Sequence, residues 1–430
     1  MTNNKLIVIS LDAFGSADLD YALSLPNFKR FRQSAALVKS VETVYPSLTY
    51  MCHTSIATGN YPNKHGVINN THLQSHRESP DWYWYSKEIK TASMFDVAKD
   101  NGLSTAAILW PVTGRSPSID YNIAEIFANR KWQSQSLVSL YASSSKYLLE
   151  KNQKFKHLRQ GIKQPELDHF VTAVTVDTIK KEQPDLLAVH LVDLDSTRHD
   201  NGVQSEEAKA AIRRMDSHLG EIFQAIEETP SYRDCHMVLL GDHYQIDTHT
   251  VVRPNHLLRD AGYLTVNKKQ EIADYQVYLK AADGSAYIYS KDPDFTIDQL
   301  QAILAPIQST IERIYDHNQA QAMGADDQCF AILEAKAGYY FDSSIQRPIL
   351  EDTNKTIPGV KLLRGSHGYS PQKADYTTMM MVAGPKIDQE VELIEARLVD
   401  EGPTFLALLN LAFPQPTDGR VLTELFKSKG

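Results

Sequence analysis

Residues 45–67, YPSLTYMCHTSIATGNYPNKHGV, put threonine, cysteine and two histidines in one short stretch. Thr49 and Cys52 are both candidate nucleophiles, and the stretch alone does not choose between hydroxyl and thiol. Acids and histidines then recur where a chain can aim them together. Asp12 ends the apolar run KLIVISLD, Asp195 ends PDLLAVHLVDLD, and the Asp242–His243 pair ends CHMVLLGDH. His199 follows Asp195 by four residues, so both side chains converge if that turn is helical. His367 sits in RGSHGYS, between glycines that let the backbone approach a site closely. A single acid at a strand end usually caps the next helix. Several delivered to one edge repel each other unless a cation neutralises them. Asp12, Asp195, His199, Asp242, His243 and His367 make six nitrogen or oxygen donors, enough for two three-ligand metal sites with open positions.

Such donors need a scaffold with a common edge. Short, unbroken apolar runs, including STAAILWP at 104–111 and YTTMMMVAGP at 376–385, alternate with helical patterns. That alternation predicts an α/β fold, a mostly parallel sheet sandwiched by helices, with ligands outside the carboxyl ends of the strands. SEEAKAAIRRMDSHLGEIFQAIEE reads as one of the covering helices, with Ser205 as N-cap and Ile212, Met215, Leu219, Ile222 and Ile226 on its buried face. KTASMFDVAKDNG reads as another, closed by Gly102. A third runs from Thr49 to Gly59 and puts the threonine at a positive helix N-terminus.

The formal net charge of −9 argues against a general nucleic-acid binder but leaves room for a small anionic substrate in a locally positive site. Three widely spaced cysteines form neither a disulfide framework nor a zinc ribbon. The apolar run before Asp12 is too short for a signal peptide, and no run reaches the roughly 18 apolar residues of a membrane span. The expectation is a cytoplasmic protein with no membrane partner; its oligomeric state is left open. Residues 246–362 mix strand-like and helical patterns and read as an inserted α+β cap, with 1–245 and 363–430 as the catalytic core. The aromatics of PDWYWYSK (80–87) are expected to pack on the core rather than stack on a base, and KNQKFKHLRQGIK (151–163) to form a solvated helix face.

Asp12, PSLTYMCHTSIATGNYPNKHGV, DSTRH, GDHY and GSHGY, in this order across nearly the whole chain, resemble the type I phosphodiesterase/nucleotide pyrophosphatase branch of the alkaline phosphatase superfamily. The family's Pro-x-x-Thr-Phe-Pro-Asn-His context is met by Pro46, Thr49, Tyr50, Met51, Cys52 and His53, with departures at Met51 and Cys52. The resemblance implies an alkaline-phosphatase-like fold and a two-metal hydrolase that cleaves phosphodiester or nucleotide pyrophosphate bonds through a covalent phospho-threonine. Thr49 would be the nucleophile and Cys52 a small buried hydrophobe. Asp12, Asp242 and His243, with Thr49 as a further partner, would hold one ion; Asp195, His199 and His367 would hold the other. Asn70 of HGVINN matches the family's phosphate-binding asparagine, with Asn69 structural. The donors suit Zn²⁺ best and Mn²⁺ or Fe acceptably. The implied partner is a small phosphorylated substrate such as a nucleotide, not a nucleic-acid duplex. Relatives with the same ligands act on phosphonates or phosphomonoesters, which is the nearest alternative. A phosphomutase is disfavoured by the threonine and the late insertion, and a sulfatase by the absence of a Cys/Ser-x-Pro-x-Arg motif. The family often has glycine where Arg198 stands, and this arginine is expected to point to solvent.

Overall fold

The computed structural model describes residues 5–77 and 79–428. The chain enters through β1 (Leu6–Leu11), all six of whose side chains are buried. Both faces of this strand are covered, which is why it is apolar throughout instead of alternating. Leu6 and Val8 join one core with Met51, Ile56 and Phe405, while Ile7, Ile9 and Leu11 join another with Val174, Ile212 and Leu219.

Further strands are β2 (Ala35–Glu42), β3 (Thr105–Ile108), β4 (Tyr121–Ile123), β5 (Leu186–Leu191) and β6 (His236–Gly241). The later segment 246–362 builds its own antiparallel sheet from β7 (Val277–Ala282), β8 (Ser285–Ser290), β9 (Ile311–Asp316) and β10 (Ala331–Ala335), over a cluster that includes Leu279, Ile288, Leu300 and Leu333. After it come β11 (Thr378–Ala383) and β12 (Glu392–Arg397). The central eight-stranded sheet has the order β12-β2-β11-β6-β1-β5-β3-β4. Its pairings are parallel except for β11, which runs antiparallel to β2 and β6.

Helices α1 (Thr49–Thr58), α2 (Gln135–Ala142), α3 (Ser145–Phe155), α4 (Glu166–Lys181), α5 (Asp193–Asn201), α6 (Glu206–Glu227) and α7 (Glu401–Leu408) carry the features discussed below. α6 begins where the side chain of Ser205 accepts from the Ala208 amide, and its five anticipated core positions are buried. Among the described residues, no helix is long and apolar enough to cross a membrane.

Segment 246–362 is tied to the rest of the chain at several points. Its roots zip together where Ile246–Asp247 pairs with Gly365–Ser366. Glu334 on β10 accepts from the Tyr45 hydroxyl at 2.8 Å and from the Ser370 amide at 3.1 Å, so one buried carboxylate from the insert holds two core loops. Gly368 lies at φ +79°, and a Cβ there would sit 1.9 Å from the Ala282 carbonyl oxygen, so only glycine allows this loop against β7.

Candidate active site

The sheet explains how distant acids meet. Leu11 is in register with Leu191 on one side and Gly241 on the other, so Asp12, the β5–α5 turn and Asp242 leave the sheet side by side. His243 Nε2 lies 3.3 Å from Asp12 Oδ1, 3.3 Å from Asp242 Oδ2 and 3.1 Å from Thr49 Oγ1. Asp195 stands in the first turn of α5, one turn before His199, whose Nε2 is 3.3 Å from Asp195 Oδ1. His367 Nε2 is 3.9 Å from the same oxygen, and its ring stacks on His243 with centroids 4.0 Å apart. The structure thus gathers Asp12, Thr49, Asp195, His199, Asp242, His243 and His367 at one sheet edge.

The donor set fits divalent cations. Asp12 Oδ1 and Asp242 Oδ2 are buried, without a hydrogen-bond partner among the described residues, and both face His243 Nε2. Burial, then repulsion from Asp242 and Asp195, raises the Asp12 carboxyl well above its usual range. Burial likewise pushes Asp242 up to about 7. Burial opposes ionisation of Asp195 as well, but His199, His367 and His243 around it win and draw its pKa down. Burial lowers His243 and His367, which keeps their imidazoles neutral. His199 Nδ1 donates to the Gly365 carbonyl at 2.8 Å and His367 Nδ1 to the Ser47 carbonyl at 3.1 Å, which turns both Nε2 atoms toward Asp195; burial opposes protonation of His199, but Asp195 beside it prevails and raises its pKa. Crowded carboxylates that lack donors, beside neutral imidazoles with fixed tautomers, are what borderline divalent ions require.

Thr49 opens α1 after an extended Leu48. Cys52, one turn on, lies in the core with Sγ 3.3 Å from Thr43 Oγ1. Burial, then the nearby Asp242, raises its thiol pKa well above the usual range, so a thiolate is disfavoured there. Asn70 Oδ1 accepts from the Tyr50 amide at 3.0 Å, which turns its NH₂ group outward as a donor. Asn69 instead donates to the Ala281 carbonyl and accepts from the Thr71 amide. Asp12, Thr49, Asn69, Asn70, Asp195, His199 and His367 border a cleft of about 650 Å³, whose lining also includes Ile123, Phe127, Leu148 and Phe170. Tyr83 and Trp84 pack into the core, whereas Trp82 meets Tyr50 edge-on at 5.2 Å and lines the cleft.

Two basic residues depart from expectation. Arg198 does not face solvent: it is 1% exposed, with Nη2 2.6 Å from Asp18 Oδ1 and Nη1 3.1 Å from Asp18 Oδ2. It also donates to the carbonyls of Ala13 and Val203, and its guanidinium lies 4.9 Å over the Tyr244 ring. Carboxylate and carbonyls satisfy the fork from several sides, which makes burial tolerable. Lys151 is likewise inside, bonded to Asp177 and Glu182 at 2.7 Å each, and Arg159 and Ile162 of the same basic stretch border the cleft. Phe155 and Leu158 pack against the core, and Gln153, Lys154, Lys156 and His157 face solvent.

Residue type and spacing did not single out the supporting layer. His190 Nε2 is 3.0 Å from Asp12 Oδ2, and its Nδ1 is 3.1 Å from Glu125 Oε2. A histidine inside the apolar run LLAVHLV was the available signal. Gln245 Nε2 donates to Asp195 Oδ1 at 2.5 Å, and His53 Nδ1 donates to the Thr49 carbonyl at 2.9 Å.

Glu401, the first residue of α7, is fully buried, and neither carboxylate oxygen has a hydrogen-bond partner among the described residues. Burial, then Asp400 and Asp242, raises its pKa well above the usual range. The fold therefore keeps the proton while the unfolded chain releases it above about pH 4.3. From there up to the raised folded value, stability falls as pH rises. Glu401→Met is expected to stabilise the protein by about 1–3 kcal/mol, with a larger gain at about pH 8 than at about pH 5. Urea unfolding at the two pH values checks both the sign and the trend.

The architecture and the donor-bearing edge define an alkaline-phosphatase-like α/β protein. Murine ectonucleotide pyrophosphatase/phosphodiesterase 5 has this fold, with a TM-score of 0.69 at 17% identity over 99% of this chain and 100% of that one. An inactive threonine-to-alanine variant of the murine protein has been solved in complex with AMP. The family model for type I phosphodiesterase/nucleotide pyrophosphatase matches residues 6–370, and the chain belongs to that family. Venom phosphodiesterase 2 of Crotalus adamanteus is 26% identical over 252 residues, covering 56% of this chain and 26% of the venom protein. The chain spans about a quarter of the length of the first such curated relatives. Ectonucleotide pyrophosphatase/phosphodiesterase family member 7 of Mus musculus is 22% identical over 449 residues, covering 97% of this chain and 85% of the mouse protein.

Proposed function

We propose that the protein is a metal-dependent hydrolase of phosphodiester or nucleotide pyrophosphate bonds, acting through a covalent phospho-threonine on Thr49. The observation that carries this reading is Thr49 Oγ1 at a helix N-terminus, 3.1 Å from His243 Nε2, beside buried carboxylate oxygens that lack partners. Two divalent ions, held by Asp12, Asp242 and His243 and by Asp195, His199 and His367, would supply Lewis acidity to the attacking and leaving oxygens. Thr49 Oγ gives up its proton and bonds to phosphorus as the bond to the leaving oxygen breaks, and the leaving oxygen takes up a proton. Water then attacks the same phosphorus and the bond to Thr49 breaks, which restores the hydroxyl. The Asn70 NH₂ group donates to a phosphoryl oxygen as charge builds there, because its Oδ1 is already engaged by the Tyr50 amide. Tyr50 and Trp82 give the cleft an aromatic corner suited to a nucleotide. The inserted segment, taken as 246–362, helps choose the substrate, since Ala281, Asp283 and Lys361 border the cleft.

Comparing turnover of bis-p-nitrophenyl phosphate, p-nitrophenyl phosphate and phosphonoacetate separates diesterase from monoesterase and phosphonate chemistry. The diester should be preferred; preference for either of the others would replace the bond in this reading. Elemental analysis should find about two ions per chain. Chelation should abolish turnover, and Zn²⁺ or Mn²⁺ should restore it. Turnover that persists in fully chelated protein would rule the mechanism out.

A further inference from the structure

Eight large hydrophobic residues are exposed among the described residues, and five of them, Trp132, Leu137, Tyr141, Leu149 and Ile162, fall within 132–162. Trp132 is 83% exposed and Leu149 57%. This segment comprises the turn before α2, α2, α3 and the loop that follows, and it also borders the cleft through Leu148 on α3 and through Arg159 and Ile162 of the loop. Its charge is as unusual as its apolarity. Residues 130–163 contain eight lysines and arginines and a single acid, Glu150, in a chain whose net charge is −9. Lys131, Lys146, Lys156 and Lys163 are exposed, whereas Arg130, Lys151 and Lys154 are paired with Asp81, Asp177 and Glu182. On α3 and its C-cap, Lys146, Leu149, Gln153 and Lys156 follow one another by three, four and three residues, so an apolar side chain and two lysines share one outward face.

Apolar side chains framed by lysines, on helices that border the site, match the chemistry of a lipid–water interface. We propose that the α2–α3 face docks the protein on an anionic lipid surface. This docking inference does not rest on the hydrolase reading above. A symmetric second copy fits poorly, because a two-fold contact would set two strongly basic patches against each other. A peripheral contact of this kind needs no membrane-spanning helix, and the described residues contain none long and apolar enough to be one.

The test is cosedimentation of the full chain with vesicles of phosphatidylcholine alone and with vesicles containing about one third phosphatidylglycerol. The wild type should pellet with the anionic vesicles and stay in solution with the neutral ones. Trp132→Ser/Leu149→Ser and Lys146→Glu/Lys156→Glu should each lower partitioning about tenfold or more. None of these four residues lines the cleft, so both variants should turn over bis-p-nitrophenyl phosphate like the wild type, which also reports correct folding. Wild type that ignores anionic vesicles, variants that bind as well as wild type, or a dimer that Trp132→Ser/Leu149→Ser dissociates would each overturn the docking proposal. Vesicle binding without diester hydrolysis would leave docking standing and remove the hydrolase reading instead.

Discussion

Thr49→Ala should lower turnover of bis-p-nitrophenyl phosphate by at least about a thousandfold, while Cys52→Ala should stay within a few-fold of wild type. In the proposed mechanism the hydroxyl is the group that bonds to phosphorus, and water has no comparable placement at the helix N-terminus, 3.1 Å from His243. Deleting one methyl and one hydroxyl at a position only 8% exposed leaves little void, so the fold should persist and the loss should be chemical. The thiol of Cys52 sits in a core cluster, with its ionisation opposed by burial. Its truncation should cost stability, about 1 kcal/mol, more than rate. Rapid quenching of the wild type should trap phosphate on Thr49. The opposite ranking of the two variants would assign the chemistry to sulfur and dismantle the proposed mechanism.

Arg198→Met should be the most damaging single change to stability, at about 3–5 kcal/mol, because it strands Asp18 as a buried, unpaired carboxylate. Asp18→Asn should be similarly costly, and Arg198→Met/Asp18→Leu should recover much of the loss, since a buried pair replaced by apolar groups is often near neutral. Arg198 also touches the segments that carry three of the proposed ligands. It is adjacent to His199, donates to the carbonyl of Ala13 beside Asp12, and lies over Tyr244 beside His243. The double variant should therefore regain its unfolding midpoint yet bind metal more weakly than wild type, as read by competition with a chromophoric chelator. Equal metal affinity would limit Arg198 to a purely structural role.

What could be read from sequence follows a physical line. Strand ends were legible because a buried parallel strand must be apolar throughout, so the first acid after it marks the edge; Asp12 and Asp242 are such residues. The α6 register was legible because its cap and its three-and-four spacing agree. The fates of Arg198 and Lys151 were not. Each is buried by partners far away in the chain, Asp18 and Asp177, and no local pattern encodes a contact between residues 180 or 26 positions apart. His190 and Gln245 were missed for a related reason: they act on Asp12 and Asp195 through the packing of strands and turns, not through a motif of their own.

Glu334 carries a consequence for redesign. Its carboxylate comes from the β7–β10 sheet but grips Tyr45, four residues before Thr49, and Ser370, three after His367. The insert is thus a keystone set between the two loops, not a lid resting over them. A graft that exchanged β7–β10 for a relative's strands without a carboxylate at this register would deliver new specificity on a slackened catalytic frame. Lys361 borders the cleft from outside β7–β10 without bearing that load, so substrate choice is better rewritten there.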